Sequence, residues 1–367
     1  MKDPSAALHS VAAAPPALDP ALVSEALVRD YGLRGELLPL VSERDQNFRL
    51  TAPDGSRFVA KIVSSVEDPA VTEFQIAALL HLEEQGILGV PRIIRNLADD
   101  ALSGVQAPDG TRYTLRVTNW LPGEPLDKNM IDKATARALG QSLARLDRAL
   151  ANFRHAADQP VLLWNMQRAA ELVDLTWHIT DPTIRRPVRT VLETFRDQTA
   201  ARLEALPKQV IHNDANPSNV LLAHEPHPPT RIKVTATLSV ARDRVAVTLI
   251  DFGDMMRSAR VVEVATAAAY LRVVEDPLRF VGPLVSAYHD DNPLTPAELD
   301  LIFDLIRTRL AMTTAILYWR LSARDENDPY RRKSLASEQD APEFLEALDA
   351  LGRKRFDTGL KRELVAG

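Results

Sequence analysis

Apolar and polar positions recur with two different periods along this chain, and the change from one to the other divides it. Asp19 and Pro20 have the character of an N-cap and a first helical residue, and Leu22, Val23, Ala26, Leu27 and Tyr31 follow at helical spacing until Gly32. Short strand-like runs come next at 35–42, 47–52 and 57–63, with Pro53, Asp54 and Gly55 supplying hairpin-turn chemistry between the last two. Asp68 and Pro69 open a second helix through Gln85, which carries Val71, Phe74, Ala78 and Leu82 on one stripe and Gly86 as its stop. Strand character returns at 91–96 and 112–120, before Leu121-Pro122-Gly123-Glu124-Pro125 breaks the pattern. The first third therefore reads as a mostly antiparallel sheet with one internal helix.

Beyond that break the period lengthens. Helices are expected at 132–154, 164–178, 183–205, 258–274, 277–289, 296–322 and 342–355, with no repeat of fixed length. One stretch departs from this texture: residues 231–240 and 244–252 both alternate apolar and polar, which predicts a hairpin turning across Ala241, Arg242 and Asp243. A small N-terminal β lobe with one helix, a Pro-Gly hinge and a larger, mainly helical C-terminal lobe make an α+β plan. The expected divisions are a leader over 1–18, a β lobe over 19–121 and a helical lobe over 122–367.

Composition narrows the function classes. With 367 residues the chain is long enough for two cores, and 46% hydrophobic residues argue against a disordered chain. The absence of cysteine excludes disulfides, thiolate zinc sites and a cysteine nucleophile. A formal charge of −6 argues against a generic nucleic-acid binder, and no stretch reaches the ~18 uncharged apolar residues of a membrane span. The first residues, with an acidic group at Asp3 and prolines at 4, 15, 16 and 20, lack the apolar core of a secretory signal, so a cytoplasmic protein is expected.

Two motifs carry chemistry. His212-Asn213-Asp214-Ala215-Asn216-Pro217-Ser218-Asn219 follows the apolar pair Val210 and Ile211, and Asp251-Phe252-Gly253-Asp254 ends a hydrophobic strand. Phosphoryl transfer needs a carboxylate to take the proton of the attacking hydroxyl and oxygen ligands to hold magnesium on nucleotide phosphates. Asp214 suits the first role, and Asn219 with Asp251 suits the second. Lys61, inside the apolar strand Phe58-Val59-Ala60-Lys61-Ile62-Val63, is the candidate cation for the phosphates, and Glu73 in the following helix is placed to pair with it. The glycine-free loop 42–48, which contains Asn47, occupies the position of a phosphate-covering turn. Thr118 and Trp120, just before the break, lie where backbone groups would meet the purine. Plainer readings exist for each: His212 as a satisfied core histidine, Asp214 and Asn219 as turn residues, Lys61 reaching water from an edge strand, Glu73 as a solvated helix residue. Met255 and Met256 read as core fillers.

With these residues in hand, the chain resembles the aminoglycoside phosphotransferase-like superfamily of small-molecule kinases, which includes choline, ethanolamine and homoserine kinases. Within it the likeness is to the hydroxylysine kinase-like branch. It runs from about Val41 to Leu351 through SERDQNF at 42–48, FVAKI at 58–62, EFQIAALLHL at 73–82, WLPGEPL at 120–126, IHNDANPSNVLL at 211–222, LIDFGDM at 249–255 and the late stretch at 309–330. The resemblance implies a protein-kinase-like two-lobe fold, Asp214 as catalytic base, Asn219 and Asp251 as magnesium ligands, and Lys61 with Glu73 at the phosphates. Three positions depart from the family pattern. Asn213 stands where a small glycine is usual, Glu263 replaces an aspartate, and Asn219 and Asp251 are 251 − 219 = 32 residues apart, a longer interval than the branch leads one to expect.

The reading is a small-molecule kinase that transfers the γ-phosphoryl group of ATP or GTP to a hydroxyl of an amino acid or amino alcohol. A hydroxylysine-like compound is the first expectation, with homoserine, choline or ethanolamine next. Some members of the branch prefer GTP, so the base is open, as is the oligomeric state. Asp254 is the candidate for attracting a cationic amine. The alternatives are an aminoglycoside phosphotransferase on the same machinery and a catalytically silent nucleotide-binding pseudokinase.

Overall fold

The structure is a computed structural model that describes residues 15–42, 44–223, 245–322, 335 and 338–366. The chain divides into two compact units, one running to Pro122 and including Phe153–Leu163, the other comprising Gly123–Asn152 and Trp164–Gly367.

In the first unit, helix α1 (Pro20–Tyr31) starts on Asp19, whose carboxylate accepts the Ala21 N–H at 2.8 Å, and ends on the left-handed Gly32. Strands β1 (Glu36–Leu40), β2 (Gln46–Thr51) and β3 (Arg57–Ile62) precede α2 (Pro69–Glu84), and β4 (Ile93–Ile94), β5 (Ser103–Gln106) and β6 (Arg112–Asn119) follow it. They form one antiparallel sheet in the order β1-β2-β3-β6-β4, with β5 also on β6. Alternation separates its faces. Phe48, Leu50, Ala60, Ile62, Leu115 and Val117 bury against Val23, Ala26, Leu27 and Tyr31 of α1, which leaves the intervening residues on the opposite face. Pro16 and Leu18 fall within the expected leader but are buried, and Leu18 and Gln46 exchange two hydrogen bonds of 2.9 Å. The remainder of that leader, 1–14, lies outside the described residues. Phe153 and His155 belong to this unit because their rings stack on Phe74 at 6.1 and 5.6 Å.

In the second unit, β7 (Glu124–Pro125) leads to α3 (Lys133–Leu150), capped by Asp132. The segment expected as a helix at 164–178 is a run of tight 3-10 turns, Met166–His178. The helix expected at 183–205 is α4 (Pro182–Thr194), widened into a π turn at Phe195–Thr199 before α5 (Ala200–Glu204). Then come β8 (Gln209–Ile211), β9 (Val220–Ala223), β10 (Ala246–Leu249) and β11 (Met256–Ser258). The helix expected at 258–274 is limited to α6 (Arg260–Ala268); α7 (Val281–Asp291), α8 (Pro296–Leu299), α9 (Ile302–Ser322), α10 (Ala341–Leu351) and α11 (Arg353–Ala366) complete the unit. The described partner of β10 is β9, which also pairs with β7, and β11 pairs with β8. The whole of the expected first hairpin strand, 231–240, and its turn at 241–243 lie outside the described residues, as do 323–330 of the late stretch. Helix α3 lies close to α7 because residue 140 is glycine: a β-carbon there would stand 2.2 Å from the Leu284 carbonyl oxygen. Among the described residues no helix is long and apolar enough to cross a membrane.

Candidate active site

The strand pairs β8-β11 and β9-β10 clamp two loops, 212–219 and 250–255. Ile211 faces Met256 and Val220 faces Leu249, so the ends of each loop are fixed against the other, and the Ile250 N–H donates to the Asn219 carbonyl at 2.9 Å. His212 is fully buried. Its Nε2 lies 3.1 Å from the Ile250 carbonyl and its Nδ1 accepts the Asp214 N–H at 3.3 Å, an assignment that places the ring proton on Nε2. Phe252 meets the imidazole edge-on at 4.7 Å. His212 thus fastens one loop to the other.

Among the described residues, positive φ at non-glycine positions occurs at Asp99, Asn213 and Asp251, two of them in these loops. Asn213 has φ of +65°, a conformation asparagine tolerates better than most residues, which explains how it can stand where a glycine is usual. Its N–H donates to the Glu263 carboxylate at 2.7 Å and its Nδ2 to the Asp254 carbonyl at 3.2 Å. Two of the three departures from the family pattern therefore touch one another, the longer Glu263 side chain reaching the backbone of Asn213.

Asp214 sits inside this frame with its side chain 18% exposed. Its Oδ1 accepts from Asn216 at 2.9 Å and its Oδ2 from Asn219 Nδ2 at 2.6 Å. Burial and then the negative charge of Asp254 push its pKa well above the usual carboxylate range, against the pull of the Arg309 guanidinium. Asp251 Oδ1 accepts the Gly253 N–H at 3.2 Å. With its Nδ2 turned to Asp214, Asn219 presents its amide oxygen as a ligand atom, and the Asp251 carboxylate stands on the adjoining loop. No cluster of three or more His, Asp or Glu able to hold a metal occurs among the described residues. One amide oxygen and one carboxylate are hard ligands that fit magnesium completed by phosphate oxygens, and fit a closed metal cage poorly.

The residues expected to bind nucleotide lie in the first unit. Asn47, Lys61 and Arg116 face one another in one row across β2, β3 and β6, on the side opposite the apolar core. Arg49, Val59 and Thr118 form a second row on the same side, and Arg49 lies 5.6 Å above the Trp120 ring. The Trp120 N–H donates to the Arg57 carbonyl at 2.9 Å. Glu73, expected beside Lys61, is instead exposed. It shares the solvent face of α2 with Glu84, three turns on, while Phe74, Gln75, Ala78 and Leu82 turn inward. The carboxylate on Lys61 is Asp45, at 2.9 Å, and Gln75 serves Arg116 at 2.7 Å. Burial raises the Asp45 pKa, but the Lys61 ammonium outweighs it and holds the group below its ordinary range.

Sequence reading also missed Arg309. This residue of α9 is 1% exposed, its guanidinium lies 4.6 Å over the Trp164 ring, and its Nη2 is 3.7 Å from Asp214 Oδ1.

Comparison with known proteins places these features in context. A family model described as APH, phosphotransferase enzyme family, matches residues 36–230. A hydroxylysine kinase of Danio rerio is 25% identical over 328 residues, which covers 86% of this chain and 88% of that protein. Among solved structures, an amicoumacin kinase in complex with AMP-PNP and Ca2+ superposes with a TM-score of 0.65 at 15% identity, over 91% of this chain and 94% of its own. A microcompartment-associated aminopropanol kinase does so with a TM-score of 0.60 at 14% identity, over 94% of this chain and 100% of its own. These likenesses establish the fold as protein-kinase-like, of the kind found in small-molecule kinases.

Proposed function

The chain belongs to the phosphotransferase enzyme family and is a kinase acting on hydroxyl groups; from that premise we propose that it phosphorylates a small hydroxylated amino acid or amino alcohol, a hydroxylysine-like compound first. The donor in this reading is ATP or GTP. The observation that carries it is the Asp214 carboxylate held by the side-chain amides of Asn216 and Asn219, on a loop fastened to the segment that bears Asp251. The 25% identity to a hydroxylysine kinase over most of both chains supports the choice of acceptor.

The acceptor hydroxyl donates its proton to Asp214 as its oxygen bonds to the γ-phosphorus. The bond from that phosphorus to the β-phosphate oxygen breaks, releasing nucleoside diphosphate and a phosphomonoester. Asn216 and Asn219 fix the carboxylate so that no reorientation is needed. Magnesium held by the Asn219 amide oxygen and Asp251 would offset the phosphate charge. Lys61 and Asn47 approach the phosphates, and Thr118 and Trp120 line the purine's edge. Asp45 takes the place in this scheme first given to Glu73. Asp254 favours the acceptor's ammonium group.

A nucleoside-diphosphate release assay over hydroxylysine, homoserine, choline, ethanolamine and aminoglycosides tests the reading. Turnover is expected on the amino acids or amino alcohols, and Asp214→Asn should lower kcat by ~10²–10⁴-fold while nucleotide still raises the melting temperature. Turnover confined to aminoglycosides would favour an antibiotic-modifying enzyme. Nucleotide-dependent stabilisation without turnover on any acceptor would leave a pseudokinase.

A further inference from the structure

Arg309 is a buried cation whose hydrogen bonding is unfinished. Its Nε has no partner among the described residues, and its Nη1 reaches the Trp164 carbonyl only at 3.4 Å. Its nearest carboxylate oxygen, Asp214 Oδ1 at 3.7 Å, lies beyond hydrogen-bond distance, and both oxygens of that carboxylate already accept from Asn216 and Asn219. Asp214 and Glu338 give charge compensation and the Tyr270 side chain meets one side of the guanidinium, without completing its fork at Nε. One turn along α9, the Thr313 hydroxyl is also buried and without a partner among the described residues, and it occupies the same helical face. Gln167 Nε2, on the 3-10 run packed against α9, is a third such donor. A second guanidinium, Arg320, lies 5.4 Å over the same Trp164 ring.

Leaving a guanidinium and two further donors buried and incomplete is costly unless an acceptor arrives with the ligand. The group that matches a planar fork beside a hydroxyl donor is a carboxylate. Building on the proposed function, we infer that Arg309, with Thr313, reads a carboxylate on the acceptor while the acceptor's hydroxyl meets Asp214. The specificity is then for an amino acid over the amino alcohol that lacks only its carboxylate. A site built to pair a charged group rejects the analogue without it, because its own donors are left unpaired.

The test compares matched acceptors, an amino acid and its decarboxylated counterpart, such as homoserine with 3-aminopropan-1-ol and 5-hydroxylysine with its decarboxylated amine. The wild-type enzyme should favour the carboxylate-bearing member by ~10²-fold or more in kcat/KM. Arg309→Lys should raise KM for that member at least ~10-fold with little effect on the decarboxylated one, and Thr313→Val should shift the ratio in the same direction. Equal wild-type kcat/KM for the two members overturns the inference even if Arg309→Lys fails to fold. An equal loss on both acceptors in Arg309→Lys also overturns it and makes Arg309 a residue that positions Asp214. Turnover on neither member of any pair would instead count against the proposed function itself.

Discussion

The backbone at Asn213 carries a cost that its side chain partly offsets. With φ at +65° the residue is strained for most side chains, yet its Nδ2 is bonded to the Asp254 carbonyl and its N–H to Glu263. Asn213→Gly relieves the strain and loses the side-chain bond; Asn213→Ala loses the bond and keeps the strain. The alanine variant should therefore be the less stable of the two by ~1–2 kcal/mol in urea unfolding, the left-handed penalty of a β-carbon. Equal stabilities would mean that the loop relaxes out of this conformation. At this scale the sequence placed His212, Asp214 and Asn219 on one short loop and Asp251 on another, and the two loops come together because the strands that flank them pair across, β8 with β11 and β9 with β10. Arg309 was not legible: it stands 309 − 214 = 95 residues beyond Asp214, on a helix buried on nearly all sides, where no apolar stripe marks an inward-facing polar group. Asp45 was equally hidden, since the rotation of α2 that sends Glu73 to solvent depends on how the whole stripe packs.

Elements with their own start and stop chemistry read well. Asp19-Pro20 with Gly32 and Asp68-Pro69 announce α1 and α2, and Pro53-Asp54-Gly55 announces the β2-β3 turn. Strand β5 was missed because Ser103-Gly104-Val105-Gln106 has a single large apolar residue, and the pairing of β10 with β9 was missed because local alternation does not announce a partner across a long connection; the expected pairing of β10 with 231–240 lies outside the described residues. Helix α8 shows what a cap does beyond its own helix. Thr295 and Glu298 form a capping box, and Glu298 also receives the Arg260 guanidinium of α6 at 2.9 Å with its side chain 3% exposed. Burial pushes the Glu298 pKa up, but Arg260 and the Thr295 N–H outweigh it and hold it below 4.5. A depressed carboxylate contributes stability that is fully present above its unfolded value and disappears as pH falls through the lower folded one. Glu298→Gln should thus cost roughly 3 kcal/mol near neutral pH and progressively less on acidification below about 4.5, read from urea midpoints across pH. A loss independent of pH would assign the effect to packing alone.

At the scale of the whole molecule, a chain of net charge −6 has to hold a nucleotide polyphosphate. The first unit concentrates Lys61 and Arg116 in one row, but Lys61 is already paired with Asp45 at 2.9 Å and Arg116 is bonded to Gln75. Asp45 thus cancels the charge of Lys61, while the neutral Gln75 leaves that of Arg116, so the row keeps one of its two positive charges; in the proposed function the second unit adds Asp214, Asp251 and Asp254, whose negative charges oppose phosphate. A divalent cation reverses the sign of that second contribution. Nucleotide alone should therefore raise the melting temperature only slightly. Nucleotide with magnesium at ~100 times its Kd should add about 2.7 kcal/mol, reversed by EDTA. Asp251→Asn should abolish the magnesium-dependent increment and leave or slightly enhance metal-free binding, because it removes a negative charge, whereas Lys61→Met should weaken both. The metal-dependent part should resist added salt better than the metal-free part, since direct coordination is screened less than a diffuse field. Equal stabilisation with and without magnesium would overturn the assignment of Asn219 and Asp251 as its ligands, and would place the phosphates against the cationic row alone.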